Sequence, residues 1–359
     1  MLSKGIVLRG PDWARGAGEG RCAEIVTQDL AEPQGTQVLV RTHAVGLCGS
    51  DMGLYLGTYE GPKNYPLYFG HEWSGTVEAV GPAVTRVKPG DKVTGDCSIY
   101  CGECEFCSRD KNLCQHIEKF GITVDGASRQ RFLQEERYLY RADPEADLDL
   151  VALSEPLAVG AHAVRRVRET RPNLQHERIL VSGGGAIGLA CFFALKYGHG
   201  CEHVELFDLV QARVDHAIEL GASPLSDVLA FAQAAEEGPG APAYDQLYSG
   251  RGYDAIFETS GSPAAFRQAV EMLRPLGTIM ALGFIPSVEF SMKQITFKAA
   301  RIMGSMGGTG DFDSVLAFIL KHPEAARYLI THQVPFEEYE RAFQLAQDRR
   351  NCRKILIHF

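Results

Sequence analysis

The chain has 359 residues, 45% of them hydrophobic and 23% charged, enough for a large buried core and for about two domains. A formal charge of -9 with no sustained Lys/Arg run argues against nucleic acid or an anionic membrane as the main partner, and no stretch approaches the ~18 apolar residues of a membrane span. The start, MLSKGIVLRGPDWARG, lacks the apolar core of a secretory signal, and five of the ten cysteines crowd between Cys97 and Cys114, so we expect a cytoplasmic protein whose thiols ligate metal in a reducing compartment.

From Ile6 to Val45 the pattern is strand and turn, which predicts a β-rich first domain with few helices. His43, on the alternating strand VLVRTHAVG, reads as an ordinary side chain. The run VGLCGSD then supplies a thiolate at Cys48, and Gly70-His71-Glu72 follows about twenty residues later with an imidazole. These are donor types that zinc favours, placed where strands are expected to break into glycine-rich turns. Two protein ligands are too few to hold zinc, so a carboxylate is needed; Glu72 and Glu155, the latter in SEPLAVG, are the candidates. One Cys, one His and a carboxylate leave a position for water or substrate, the arrangement of a catalytic zinc. The alternative is a buried small hydrophobe at Cys48 and a satisfied core histidine at His71. Ser50 is two residues from the thiolate and could pass a proton towards solvent, and Asp51 could accept the second nitrogen proton of a ligand imidazole; either could instead form a turn. Trp73 reads as packing.

In CSIYCGECEFCSRDKNLC, Cys101, Cys104 and Cys107 are separated by two residues each, and Cys114 follows after six. Four thiolates this close can enclose zinc with no vacant position, which marks a structural site. Cys97 is a surplus cysteine that could compete for a ligand position. Strand and loop continue to Leu153, and AVGAHAVRRVR predicts a helix leaving the first domain with Arg165, Arg166 and Arg168 on a solvated face.

The register changes at Glu177. ERILVSGGGAIGLACFFALKYG reads as an apolar strand, a glycine turn and an apolar helix, with Gly183, Gly185 and Gly188 in G-x-G-x-x-G spacing and Ala186 and Ile187 in the same loop. The first glycine makes a tight turn, the second lets the backbone approach a pyrophosphate, and the helix N-terminus offers amide protons. The next strand, HVELFDL, reaches Asp208, 25 residues after Gly183 and placed to bind ribose hydroxyls and repel a 2'-phosphate. NAD is therefore expected over NADP, although Arg213 could compensate a phosphate. A helix over VDHAIELGA, a surface excursion around Glu236 to Gly252, and strand, helix and strand through YDAIFETSG, SPAAFRQAVEMLRP and GTIMALGF complete a doubly wound parallel α/β sheet. Thr259, Ser260, Gly283 and Phe284 should line its ligand-binding rim. The final FEEYERAFQLAQDRRNCRKILIHF, helix then strand, should pack back on the first domain.

In that order, GLCGSD, GHEWSG, CGECEFC with a fourth Cys, SEPLAVG and SGGGAIGL resemble the zinc-dependent medium-chain dehydrogenase family, above all its polyol, sugar and threonine dehydrogenase members, over essentially the whole chain. The resemblance implies a GroES-like catalytic domain (1–160), a Rossmann NAD(P)-binding domain (161–300) and a C-terminal return (301–359) completing the Rossmann sheet and packing on the catalytic domain. It also implies Cys48, His71, Glu72 and Glu155 at a catalytic zinc, Ser50 as proton relay, Cys101, Cys104, Cys107 and Cys114 at a structural zinc, and a homodimer or homotetramer. Two departures stand out. Gly53 occupies the position of the relay histidine of many relatives, so the proton should leave through Tyr55 or water, and the fourth lobe cysteine arrives after six residues where the family usually has seven. The expected activity is reversible oxidation of a secondary alcohol in a small multi-hydroxyl substrate. Aldose oxidation at the anomeric carbon is the main rival, and a catalytically silent nucleotide-binding protein of this fold a weaker one.

Overall fold

Two hydrophobic patterns build two units. Half-buried strands with β-branched residues dominate the first and last parts of the chain, whereas short, wholly apolar strands alternate with helices in the middle. A computed structural model describes residues 1–10, 22–226, 252–348 and 350–359. All of the expected excursion around Glu236 to Gly252 except its last residue lies outside the described residues. One unit comprises Met1–Ala158 with Gly307–Phe359, the other Val159–Met306.

In the first unit, β1 (Leu2–Leu8), β2 (Ala23–Asp29), β3 (Gln37–Gly46), helix α1 (Gly49–Leu56), β4 (Leu67–Tyr68), β5 (Glu72–Val80) and β6 (Lys92–Gly95) come first. The short β7 (Ser98–Ile99) and β8 (Glu118–Lys119), then β9 (Arg131–Glu135), β10 (Leu139–Arg141) and helix α2 (Leu148–Val151) follow. The chain re-enters this unit with β16 (Ile330–Pro335) and β17 (Lys354–His358). A seven-stranded sheet has the order β10-β6-β5-β3-β17-β16, with β9 also paired to β3. β3 organises this sheet because QVLVRTHAVG is buried along most of its length. Its end pairs antiparallel with β17, Gly46 opposite Leu356 and Ala44 opposite His358, so the late strand is stitched beside the segment that leads to Cys48. Trp73 is fully buried and meets Phe132 edge to face at 4.9 Å, a packing role as expected.

Helix α3 (Ser154–Thr170) contains the boundary between the units. In the second unit β11 (Arg178–Ser182), β12 (His203–Phe207), β13 (Tyr253–Glu258), β14 (Leu273–Ala281) and β15 (Arg301–Gly304) form a sheet of order β12-β11-β13-β14-β15 whose pairings are all parallel. Helix α4 (Ala186–Phe193) follows β11, and its AIGLACFF is mostly buried, as an all-apolar helix must be. From β11 the chain crosses to β12 on one side and returns to β13 on the other, so the topological switch point lies between β11 and β13. No helix among the described residues is long and apolar enough to cross a membrane.

Candidate active site

The strand-break expectation at Cys48 needs one correction: GSDMGLYL is the helix α1, not a turn, and Cys48 is its N-cap. Eight residues with two glycines carry too little periodicity to announce a helix. Asp51, in its first turn, accepts a hydrogen bond from the Cys48 amide at 2.8 Å and fixes the cap. Downstream, Gly70 has φ +88, and a Cβ there would stand 2.5 Å from the Val45 side chain, so only glycine lets the backbone approach β3 and deliver His71 to the start of β5. Register then sets Glu72 opposite Gly46. The thiol of Cys48, the ring of His71 and the carboxylate of Glu72 each offer a donor atom within 4.8 Å of the others.

The electrostatics are those of a pocket with too much negative charge for its protons. Burial pushes the His71 imidazole down, but the charges of Asp51, Cys97 and Cys48 outweigh it and hold the group well above its ordinary value. Burial raises Asp51, against the pull of His71 and the Cys48 amide. Asp51 Oδ1 stands 3.6 Å from His71 Nδ1, too far for a hydrogen bond, and neither atom has a hydrogen-bond partner. Glu155, in the first turn of α3, is buried and lies outside the closely spaced group. Burial pushes its carboxyl up to about 7, and its charged neighbours include His71, Glu72, Lys354 and Lys119.

Lys354 is the residue that sequence reasoning passed over. It opens β17, is 4% exposed, donates to the Leu47 carbonyl at 3.2 Å, and places Nζ 2.5 Å from Glu72 Oε2. A buried carboxylate needs such a partner, since burying an unpaired charge costs several kcal/mol, of order the whole stability margin. The signal available in RKILIHF was a lysine at the head of an apolar strand, with nothing to say what it would face. Cys97 also moves: it is buried, and its ionisable neighbours include His71 and Glu155, so it belongs beside this centre and not to the four-cysteine cluster. Burial pushes its thiol up to about 12.

Ser50 is half-buried in the first turn of α1. At Gly53 a Cβ would press on Tyr59 at 3.2 Å, so the tight packing of the Tyr59 loop accounts for glycine there. Of the two tyrosines, Tyr55 stacks on Phe343 at 4.1 Å and has Cys22 and Glu340 as ionisable neighbours. Tyr59 has Cys97, His71, Cys48 and Asp51. Of the two phenols, only Tyr59 has these donors among its ionisable neighbours.

The second donor set is Cys101, Cys104, Cys107 and Cys114. Sulfur separations are 3.9 Å for Cys101–Cys107, 3.5 Å for Cys104–Cys107, 3.9 Å for Cys104–Cys114 and 3.5 Å for Cys101–Cys114. A tetrahedron with Zn–S bonds near 2.3 Å has edges of about 3.8 Å, so the sulfurs fit the ion and the six-residue spacing closes the lobe. Hydrogen bonds from the backbone of Gln115 and Cys107 pull the Cys104 thiol down to about 6, which favours the thiolate a metal requires.

At the dinucleotide rim, Gly183 follows β11, and a Cβ on Gly188 would stand 1.7 Å from the Gly183 carbonyl, so the loop and α4 can meet this closely only through glycine. Asp208 follows β12 and accepts from the Gly184 amide at 2.7 Å and the Val210 amide at 2.8 Å, with Arg213 Nη1 at 3.2 Å. Thr259 donates to the carbonyls of Ser182 and Gly183, each at 3.0 Å, tying the ends of β11 and β13 across the switch point. The Ser260 amide caps Glu258 at 2.9 Å, and Gly283 packs against Gly261. Phe284, 88% exposed, lies just beyond β14.

Fold and donor sets together define a class: a dehydrogenase with a metal centre in a GroES-like unit and a Rossmann-type parallel sheet. Residues 34–144 match the model of the alcohol dehydrogenase GroES-like domain, and residues 186–321 that of the zinc-binding dehydrogenase domain. A probable D-xylulose reductase A of Aspergillus fumigatus is 30% identical over 337 residues, covering 91% of this chain and 90% of that one. A sorbitol dehydrogenase of Halalkalibacterium halodurans is 28% identical over 325 residues, 89% of this chain and 91% of its own. Among solved structures, one described as a short chain alcohol dehydrogenase (rspB) from E. coli CFT073, complexed with NADH, superposes with a TM-score of 0.83 at 25% identity, covering 100% of this chain and 99% of that one. The chain belongs to the zinc-dependent medium-chain dehydrogenase family and is an alcohol dehydrogenase of that family.

Proposed function

We propose that the enzyme reversibly oxidises a secondary hydroxyl of a small multi-hydroxyl compound (a polyol, a sugar, or a cyclitol or its amino derivative) to a ketone, with NAD as hydride acceptor. The observation that carries this reading is the meeting of a half-buried thiol with a buried imidazole and a buried carboxylate, their donor atoms within 4.8 Å of one another. The sorbitol and xylulose relatives support the polyol class, and the NADH complex of the E. coli structure supports the cofactor.

In this reading Cys48 and His71 hold a catalytic zinc with Glu72 and Glu155 as the carboxylates that coordinate or exchange, and Cys101, Cys104, Cys107 and Cys114 hold a structural one. Bound zinc supplies Lewis acidity that lowers the pKa of an alcohol towards neutrality. Ser50 accepts the proton of the substrate hydroxyl and passes it towards solvent, a transfer worth about 10²–10⁴ in rate. Lys354 neutralises Glu72 and sets how far that carboxylate can turn towards the other donors. The nicotinamide supplies the hydride chemistry. Gly183, Gly185, Ala186, Ile187 and Gly188 cradle its pyrophosphate at the N-terminus of α4, and Ser260 and Gly283 line the rim. Asp208 accepts from the ribose hydroxyls and repels a 2'-phosphate, and its ion pair with Arg213 keeps that guanidinium from serving as a phosphate site. The ten free cysteines fit a cytoplasmic enzyme, and a homodimer or homotetramer is the assembly to test by sedimentation.

The test is a panel of polyols, aldoses and aminocyclitols followed by absorbance of the reduced cofactor, with NAD and NADP in parallel and the product identified. Ketone formation with NAD is expected. Lactones from aldoses would replace this reading by oxidation at the anomeric carbon, and inertness of the zinc-replete enzyme to every alcohol would overturn it.

A further inference from the structure

Away from the four donors named above, His43, Asp149 and His358 form a third cluster in the same unit, with one donor atom from each within 4.8 Å of the others. Three elements separated in sequence deliver them. His43 is the residue left over between two register pairs, Thr42 with Gly75 and Ala44 with Ser74, so a β-bulge in β3 re-aims its ring. His358 ends β17, opposite Ala44. Asp149 sits in the first turn of α2, where the Asp147 side chain accepts from its amide at 2.9 Å.

The carboxylate stands between the two rings. His43 Nε2 is 2.8 Å from Asp149 Oδ1, and His358 Nε2 is 3.7 Å from the same oxygen. The rings meet edge to face at 5.3 Å, and Gln333 donates to the other oxygen, Asp149 Oδ2, at 3.2 Å. A hydrogen bond accounts for the His43 contact but not for the second: 3.7 Å is too long, and His358 Nε2 is enclosed without a hydrogen-bond partner. For metal–donor bonds of 2.0–2.1 Å in a tetrahedron, donor–donor edges are about 3.3 Å, and the two distances bracket that value.

We propose that His43, Asp149 and His358 form a further cation site, selective for a divalent transition ion such as zinc, that pins β17 to β3 and α2. Two imidazoles and one carboxylate suit zinc, nickel or copper; magnesium and calcium, which want several oxygens, are disfavoured. The three side chains are 40%, 17% and 29% exposed, so an ion can enter and water can complete its shell. The local charge favours it. The Asp149 carboxyl is held below its usual range, first by the hydrogen bond from His43, and burial lowers His358 so that its ring is neutral and has a free electron pair. Arg327, whose charge also acts on Asp149, is engaged by Asp147 at 2.6 Å. The site is separate from the Cys48 centre and does not depend on the reaction proposed for it.

The test uses the full-length metal-replete enzyme, equilibrated with zinc chloride at micromolar free zinc and analysed for metal per chain, beside His43→Ala, His358→Gln and Asp149→Asn. The wild type should bind one zinc ion more than each variant, and added zinc should raise its unfolding temperature while leaving theirs unmoved. Turnover of all four should agree within about twofold. Equal metal content in wild type and variants overturns the proposal. So does a variant that loses zinc and turnover together, because the ion lost is then the catalytic one. Asp149→Asn preserves the hydrogen bond to Gln333 and the shape of α2, so it reports on ligation if a histidine variant fails to fold.

Discussion

The two sulfur-bearing centres solve opposite problems. The Cys101–Cys114 lobe gathers four identical soft donors from one short loop, already at the edges of a tetrahedron. The Cys48 centre gathers unlike donors from a helix cap and a strand start, has the Glu155 carboxyl of a later helix as an ionisable neighbour, and sets Lys354 from a fourth element against Glu72. A closed site can be written locally in the sequence. An open site cannot, because a position left for substrate has to be walled, and the wall comes from distant residues.

That contrast can be broken most sharply at Cys48 and His71. Cys48→Ser or His71→Ala should abolish turnover while NAD binding, followed by fluorescence, persists; activity in either variant would mean that this centre is not where the chemistry happens. Next in size is Lys354→Met, which leaves Glu72 buried and unpaired and should cost about 3–5 kcal/mol in urea unfolding, with much of it recovered in the Lys354→Met/Glu72→Gln double variant. If Lys354→Met is neutral, the charge balance argued for the open centre fails. In the lobe, Cys104→Ser should release one zinc ion per chain by elemental analysis and lower the unfolding temperature, yet the folded fraction should retain turnover.

The smallest effect is a dependence on pH. With zinc removed, the folded pocket holds protons: Glu155 titrates near 7 instead of 4.5, and His71 well above 6.5. Both values are raised, so the stability these protons contribute is complete below the ordinary values and is lost as pH rises through the folded ones. Chelator-treated protein should therefore lose stability between pH 5 and 8, on the order of 1 kcal/mol per pH unit, and Glu155→Gln should flatten the Glu155 part of that slope. Zinc displaces the same protons, so its affinity should climb with pH over this range.

How much of this was legible follows from where each signal resides. The cysteine lobe and the Gly183 loop are contiguous motifs whose spacing is itself the geometry, and the alternation of apolar strands and helices carries the parallel sheet. Cys48, His71 and Glu72 were visible as donor types, but what separates Glu72 from Glu155 is register: Glu72 lies opposite Gly46, whereas Glu155 enters from α3. The helix α1 was missed because two glycines hide its period, and Cys97 was drawn towards the lobe by proximity in sequence when its ionisable neighbours His71 and Glu155 set it beside the other centre. Lys354 and the His358 partner of His43 were invisible for one reason, that pairing between β3 and β17 joins residues some three hundred positions apart and no local pattern announces it.

The position of β17 has a consequence for how the enzyme is born. The strand that neutralises Glu72 is translated only after the whole parallel-sheet unit, so a growing chain carries an uncompensated carboxylate for tens of seconds at roughly 5–20 residues per second. Until that strand arrives, the Glu72 carboxylate faces the Cys48 and His71 donors without its ammonium partner.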